Sequence, residues 1–328
     1  MSDPAIKPKP KKSTFQKERA KLDQIVKLLF SVSKKTLVNA VNGLFGENYD
    51  PNSVEINITK TATEYVKNNL DIIRADLFIE ITVVGISKDY HLEFQLSADS
   101  RMIVRMFEYD IQHALDKLRL DDEEEKVLEL SKSMVIHFEP SGKIPNKYKM
   151  KVKFSNGTIG EYEIDVVKFA EYSSATLLDK HIYNLIPLEL FLLRIDFEKA
   201  KKSRDRKLRT DTIAAAKAKI DIIVSAITDL KDRQEISFDD YSQIITGLSE
   251  ITRYLDKTYN LKLGGEIEMI KTIVDEKILN RAKQAEERLY KVVKNMLLKN
   301  TPIDEIIELT DFTELEIKDI QKSLNKVR

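Results

Sequence analysis

Asp76, Glu93 and Gln95 are the residues of this chain whose types and spacing could do chemistry. They lie on two apolar runs, "ADLFIEITVV" and "YHLEFQL", separated by a turn-like Gly85-Ile86-Ser87-Lys88-Asp89. Strand alternation puts His91, Glu93 and Gln95 on one face and Leu92, Phe94 and Leu96 on the other. On the first run, Leu77, Ile79, Ile81 and Val83 make the apolar face, and Asp76, Phe78 and Glu80 point away from it. One sheet face should therefore pack on a core while the other presents acids and an amide. Register decides what those acids can do. With the turn centred between Val84 and Gly85, Asp76 faces Glu93, with Cβ atoms ~5 Å apart. Two carboxylates that close repel unless a cation sits between them. Mg²⁺, which prefers oxygen ligands and keeps several waters, is the natural occupant. With the turn centred on Ile86-Ser87, Asp76 lies opposite Ser97 and no shared site forms. The sequence leaves both registers open. In a competing reading the Glu93 face is turned to water, with Lys88 or Arg74 as ion partner, because half-solvated antiparallel sheets are common.

The surrounding elements must hold this hairpin. Leu22, Ile25, Val26 and Leu29, then Leu37, Ala40, Val41 and Leu44, follow the three-four rhythm of helices. A break at Gly46, Asn48 and Asp50-Pro51 precedes a strand expected over 53–59. After the hairpin, Ile103, Phe107, Ile111, Ala114 and Leu118 mark a helix. Residues 131–139 and 147–169 then alternate as strands, with Asn156-Gly157 as a hairpin turn. Helix, three strands, helix and more strands make an α/β layer pattern. From about residue 196 the periodicity is helical to the end. The expected division is a basic, disordered tail over 1–14, an α/β domain over 15–195 and a helical region over 196–328.

Composition narrows the function classes. Lysine plus arginine and aspartate plus glutamate both number 54, so no general basic coat for nucleic acid is visible. The basic stretches "KPKPKK" and "KAKKSRDRKLR" and the acidic "DDEEE" read first as solvated faces or loops. With no cysteine there are no disulfides and no thiolate zinc sites, which suits a reducing cytoplasm. His91, His113, His137 and His181 are scattered without metal-ligand spacing. No run approaches the ~18 apolar residues of a membrane span, and the opening residues lack the apolar stretch of a secretory signal.

The segments "VNGLFG", "IIRADLFIEI", "YHLEFQ" and "RMIVRMFEYDIQHAL" together resemble the recombination-promoting nuclease (Rpn) and transposase-like branch of the PD-(D/E)xK superfamily. The resemblance covers roughly residues 20–195, and "YHLEFQ" followed by "RMFEY" on a helix is its most specific part. It implies a restriction-endonuclease-like core, a mixed central sheet flanked by helices, followed by an all-α C-terminal region. It further implies that Asp76 and Glu93, with the Phe94 backbone carbonyl, ligate Mg²⁺ (or Mn²⁺), and that Gln95 completes the catalytic trio. The activity implied is hydrolysis of DNA phosphodiesters. Gln95 departs from the commoner lysine: an amide can orient a water but brings no charge to the phosphate. Arg105 and Lys27 are the candidate compensating cations. Arg105, Tyr109 and His113 share one helix face, which the resemblance puts beside the site. Asp23 is a candidate for the acidic position of the N-terminal helix, against the plainer reading of a surface aspartate.

At the C-terminus, "TPIDEIIELTDFTELEIKDIQKSL" has a helix-turn-helix outline, with Asp311 at the turn and a capping box at Thr313–Glu316. Glu314, Glu316 and Asp319 would repel phosphates, so packing or homodimerisation competes with DNA reading. Three readings result: a Mg²⁺-dependent endonuclease, a weak or inactive relative that binds nucleic acid or protein, and a structural α/β protein.

Overall fold

Two helices start the chain. α1 (Thr14–Leu29) buries Leu22, Ile25, Val26 and Leu29 along one stripe. α2 (Lys34–Phe45) is opened by Ser33, which accepts from the Thr36 amide, and closed by Gly46 in the left-handed region. The computed structural model describes residues 14–53, 56–61, 64–67, 71–74, 77–118, 126–138, 144–203, 205–299, 301–310 and 312–325. Asp76, the "DDEEE" run, Asp311 and the expected tail up to residue 13 lie outside them.

The described strands are β1 (Ile56–Thr61), β2 (Glu64–Lys67), β3 (Asp71–Arg74), β4 (Leu77–Val83), β5 (Ile86–Gln95), β6 (Lys132–His137), β7 (Lys147–Lys153) and β8 (Ile159–Lys168). Six of them form one mixed sheet in the order β1-β4-β5-β6-β8-β7. β1, β4 and β5 are antiparallel neighbours, β6 runs parallel to β5, and β8 runs parallel to β6. A parallel neighbour cannot be reached through a tight turn. α3 (Met102–Lys117) accordingly lies between β5 and β6 in the chain. β7 returns antiparallel to β8 through the expected Asn156-Gly157 turn, where Gly157 takes φ 90°. β2 and β3, which periodicity did not announce, pair apart from the main sheet.

Both faces of the sheet are covered. On one, Phe30, directly after α1, meets Phe94 at 5.9 Å between ring centres, and Phe45 of α2 meets Tyr90 at 4.9 Å. On the other, Met102, Met106 and Tyr109 of α3 pack with Phe78, Val135, Tyr162 and Ile164. The competing reading of an acid face turned to water is therefore corrected: α3 lies over it, and Glu93 is fully buried. Lys88, the first ion partner named in that reading, is not placed to serve that face at Glu93. Lys88 pairs with Ile81 near the turn, and Arg74 pairs with Glu64 in the separate hairpin.

α4 (Ser174–Asp179), α5 (Leu188–Leu192), α6 (Arg194–Lys202), α7 (Arg206–Asp232) and α8 (Phe238–Tyr259) follow. The expected division after residue 195 is not where packing divides the chain, because α8 closes on α1, α5 and α7. Gly247 of α8 lies so near α1 that a Cβ there would stand 2.4 Å from Leu29 Cδ2. Asp240 accepts from the Ser33 amide at 2.6 Å, the Ser33 hydroxyl at 2.6 Å and the Thr36 hydroxyl at 2.8 Å. Lys21 pairs with Glu250 at 2.9 Å. The first compact unit accordingly runs through Ile267.

The second unit starts at Glu268. Its helices are α9 (Gly264–Leu298, most of which belongs here), α10 (Ile303–Thr310) and α11 (Glu314–Asn325). Val293, Ile306, Ile317 and Ile320 form its core. The expected capping box is present: the Glu316 carboxylate accepts from the Thr313 amide at 2.8 Å, and the Thr313 hydroxyl accepts from the Glu316 amide at 3.4 Å. Glu314 pairs with Lys318 at 2.5 Å. Among the described residues, no helix is long and apolar enough to cross a membrane.

Candidate functional site

The β4–β5 turn sets the register. Val84 and Gly85 take φ 49° and 80°, the paired positive values of a type I′ turn. Val83 then faces Ile86, Glu80 faces Asp89, Phe78 faces His91, and Leu77 faces Leu92. This is the first of the two registers considered, centred between Val84 and Gly85. Asp76, the residue before Leu77, lies outside the described residues.

Glu93 has its carboxylate held from two directions. Gln95, on the same face of β5, donates its side-chain amide to Oε1 at 2.5 Å, and Arg105 of α3 donates to the same oxygen at 2.6 Å. Arg105 also reaches the Asp99 carboxylate at 2.9 Å and the Tyr109 hydroxyl at 3.3 and 3.4 Å. Burial alone would weaken the guanidinium's hold on its proton. The facing Glu93 charge outweighs that, with Tyr109 and Asp99 adding to it, so its pKa rises above the ordinary arginine value. A fully buried carboxylate is costly without such a partner.

His137 extends this site across the sheet. It is the register partner of Gln95 on the parallel strand β6. Its Nε2 lies 3.0 Å from the Tyr148 hydroxyl, and its buried Nδ1 has no hydrogen-bond partner among the described residues. Burial pushes its pKa down to about 4, against the opposing pull of Asp99, so the ring is neutral at pH 7.

Further along the same face, Asp110 of α3 collects three partners in full burial. His91 Nδ1 lies 2.7 Å away, Ser133 Oγ donates at 2.5 Å, and the Tyr162 hydroxyl also donates. At the turn end of β5, Lys117 binds Glu80 and Asp89, and His113 approaches Asp89 at 3.6 Å. A cavity of about 570 Å³ opens at this end, lined by Lys88, Lys117, Lys126 and Lys132 together with Glu47, Asp89 and Glu129.

The structure thus brings Glu93, Gln95, Arg105 and Tyr109 together. Phe94 stands between the first two, its side chain on the opposite face against Phe30 and Phe138. Asp23, half-buried, and Lys27, exposed, belong to α1, which packs across the sheet from α3. Asp99, Asp110 and His137 were not singled out from sequence. Asp110 left a readable signal, an acid on the buried stripe of Met102, Met106, Tyr109 and Ala114. His137 and Asp99 left none, since strand pairing and the Arg105 rotamer bring them in.

Among the described residues, no group of three or more His, Asp or Glu side chains is arranged to hold a metal. Two carboxylates, Glu93 and Asp99, do already share one cation, the Arg105 guanidinium. Their hard oxygen donors suit Mg²⁺ or Mn²⁺ rather than a soft metal. Comparison with protein-family models, curated proteins and solved structures returned no match to this chain.

Proposed function

We propose that this chain is a Mg²⁺-dependent DNA endonuclease of the PD-(D/E)xK, recombination-promoting type. The observation that carries the reading is the fully buried Glu93 beside Gln95, on the hairpin that pairs Leu77 with Leu92. The run of helix, three antiparallel sheet strands, crossing helix and parallel strand supports it as the frame the resemblance implies. In this reading Asp76, Glu93 and the Phe94 carbonyl would hold the ion. When bound, Mg²⁺ lowers the pKa of water and offsets charge on the phosphate oxygens. Gln95 orients the attacking water through its amide, and Arg105 supplies the positive charge that an amide lacks. The water oxygen would bond to phosphorus in line with the departing oxygen, giving its proton to solvent, and the departing oxygen would take a proton from solvent as its P–O bond breaks. The reading includes a cytoplasmic location, DNA as substrate and the C-terminal helices as a homodimerisation element.

One observation favours a second reading. Arg105 brings a positive charge to Glu93, which is compatible with a metal-free, inactive fold that binds nucleic acid or protein. Plasmid nicking by the purified protein in Mg²⁺, Mn²⁺ or EDTA, alongside Asp76→Ala, separates the two. Metal-dependent nicking lost in the variant is the result expected. Equal nicking by both proteins removes Asp76 from the mechanism, and no nicking under any metal moves the assignment to the second reading.

A further inference from the structure

Where α6 ends, α7 begins and α8 ends, the first unit carries more positive charge than its own packing uses. Arg209 of α7 donates to the Asn260 carbonyl at 2.9 Å, and Lys201 of α6 donates to the Thr258 carbonyl at 3.2 Å. Lys201 also stands 5.7 Å over the Tyr259 ring, which packs against Phe197 at 5.6 Å. These two cations serve carbonyls at the negative end of α8, where positive charge is stabilising. Lys199 and Lys202 pair with Asp196 and Glu198 of their own helix, each at 3.0 Å. The fold thus accounts for these four cations.

Four more remain. Arg206 and Lys207 stand within one turn of Arg209, and Lys257 and Lys262 lie within three residues of Asn260, so the Arg209–Asn260 bond gathers both pairs. All four are exposed, and none has an acidic partner among the described residues. The acids beside them are occupied: Asp205 accepts from the Lys207 and Leu208 amides, and Asp256 accepts from the Leu263 amide at 2.9 Å. Asp211, exposed a turn beyond Lys207, offsets one charge of the four. Lys262 is also held at φ 60°, a left-handed conformation that favours glycine, between the buried Leu261 and Leu263. A lysine kept in that conformation points to a use for its charge.

We propose that Arg206, Lys207, Lys257 and Lys262 form a docking surface for the phosphate backbone of duplex DNA. The inference rests on DNA as the partner in the proposed function and adds where the chain holds it. Cations fixed on two helices and a turn can meet phosphates that recur at regular spacing, and each phosphate neutralised releases counterions. An anionic membrane is the poorer fit. An interfacial helix inserts an apolar face, whereas Phe197 and Ala200 of α6 and Ala216 and Ile220 of α7 are buried. Leu208, 41% exposed, is one side chain and makes no such face.

The test is fluorescence anisotropy of a short labelled duplex in EDTA across a salt series, with phosphatidylserine vesicles run in parallel and folding checked by circular dichroism. The patch variant carries Arg206→Gln, Lys207→Gln, Lys257→Gln and Lys262→Gly together. A control loses equal charge from β7 through Lys147→Gln, Lys149→Gln, Lys151→Gln and Lys153→Gln; the first three of these lysines pair with acids of β8. The patch variant should bind duplex at least about tenfold more weakly, and its slope of log affinity against log salt should flatten by about three. The control should stay within about twofold of wild type. Lys262→Gly alone should weaken binding about twofold to threefold while thermal stability holds or rises, a combination that a merely structural lysine would not give. It decides the matter if the patch variant does not fold. Equal binding by patch variant and wild type overturns the surface and leaves DNA as the partner. Equal losses in patch variant and control overturn it as well, since binding is then diffuse. Wild type that binds vesicles and not duplex overturns it in favour of a membrane, and wild type that binds neither overturns the surface and DNA as the partner together. Binding is read without metal, so a failure to nick plasmid sinks the nuclease reading and not the docking surface.

Discussion

At the turn end of β5, Lys117 of α3 grips Glu80 and Asp89. At the other end, Arg105 of the same helix grips Glu93 and Asp99. The parts match: strand acids beneath, a helix cation above. Their access to water differs. The Lys117 side chain is 36% exposed and Asp89 18%, whereas Glu93 is fully buried. Exposed pairs gain little because water already solvates both charges. A carboxylate with no water must have a cation, and the choice of cation becomes a functional variable. Between the two ends, Asp110 is buried as deeply as Glu93 but satisfied by neutral hydroxyls and an imidazole. It is a tie without a strong cation, whereas Glu93 is held by the Arg105 guanidinium.

The sharpest way to break this contrast is Glu93→Gln, for which nicking should fall on the order of a thousandfold with the fold kept. Nicking at wild-type rates would strip the inner end of its special status. Next in size, Asp110→Ala should cost about 3–5 kcal/mol in urea denaturation, because three buried donors lose their acceptor. A cost under about 1 kcal/mol would mean that the network relaxes easily and is no tie. His137 gives a pH signature. Its pKa is about 4 in the folded protein against 6.5 ordinarily, so the unfolded chain binds the extra proton first. Stability should be full above about pH 6.5 and decline as pH falls toward 4, by on the order of 3 kcal/mol in all. His137→Asn should flatten that decline, and an unchanged slope would assign it to other groups.

The smallest effect is expected at the exposed end. Lys117→Met should cost less than about 1 kcal/mol and leave nicking unchanged. Burial alone would raise the Asp89 pKa, but nearby His113 and the hydrogen-bonded Lys117 ammonium hold it below the ordinary 3.8. What Asp89 contributes is therefore present above that value and lost as pH falls below it, and acid denaturation of the variant should show a smaller loss there. A large drop in nicking would instead tie the turn end to the site.

The hairpin was legible because its determinants are local. Gly85 favours the positive φ of the turn, and alternation sorts Leu92, Phe94 and Leu96 from His91, Glu93 and Gln95. The choice between registers was not legible, because Val84 gave no sign of adopting a left-handed conformation. The partner of Glu93 was half legible: Arg105 stood on the right helix face, but a face turned to water was a competing reading of the same alternation. Coverage by α3 is a tertiary fact that spacing along one strand cannot carry. The same holds for Asp240, whose place in α8 gives no sign that it caps α2. β2 and β3 went unseen because four-residue strands are too short to establish a period.

That bond from Asp240 to Ser33 spans 207 positions, and the one from Lys21 to Glu250 spans 229. During synthesis, α1 and α2 emerge long before the helix that completes their packing. At ~5–20 residues per second the wait is roughly 10–40 s. Through that interval the stripe of Leu22, Ile25, Val26 and Leu29 lacks its α8 cover while the strands behind it are made. The newborn chain therefore leaves that apolar stripe without its α8 cover, and a chain that stops before α8 lacks the Asp240 acceptor for Ser33 and Thr36.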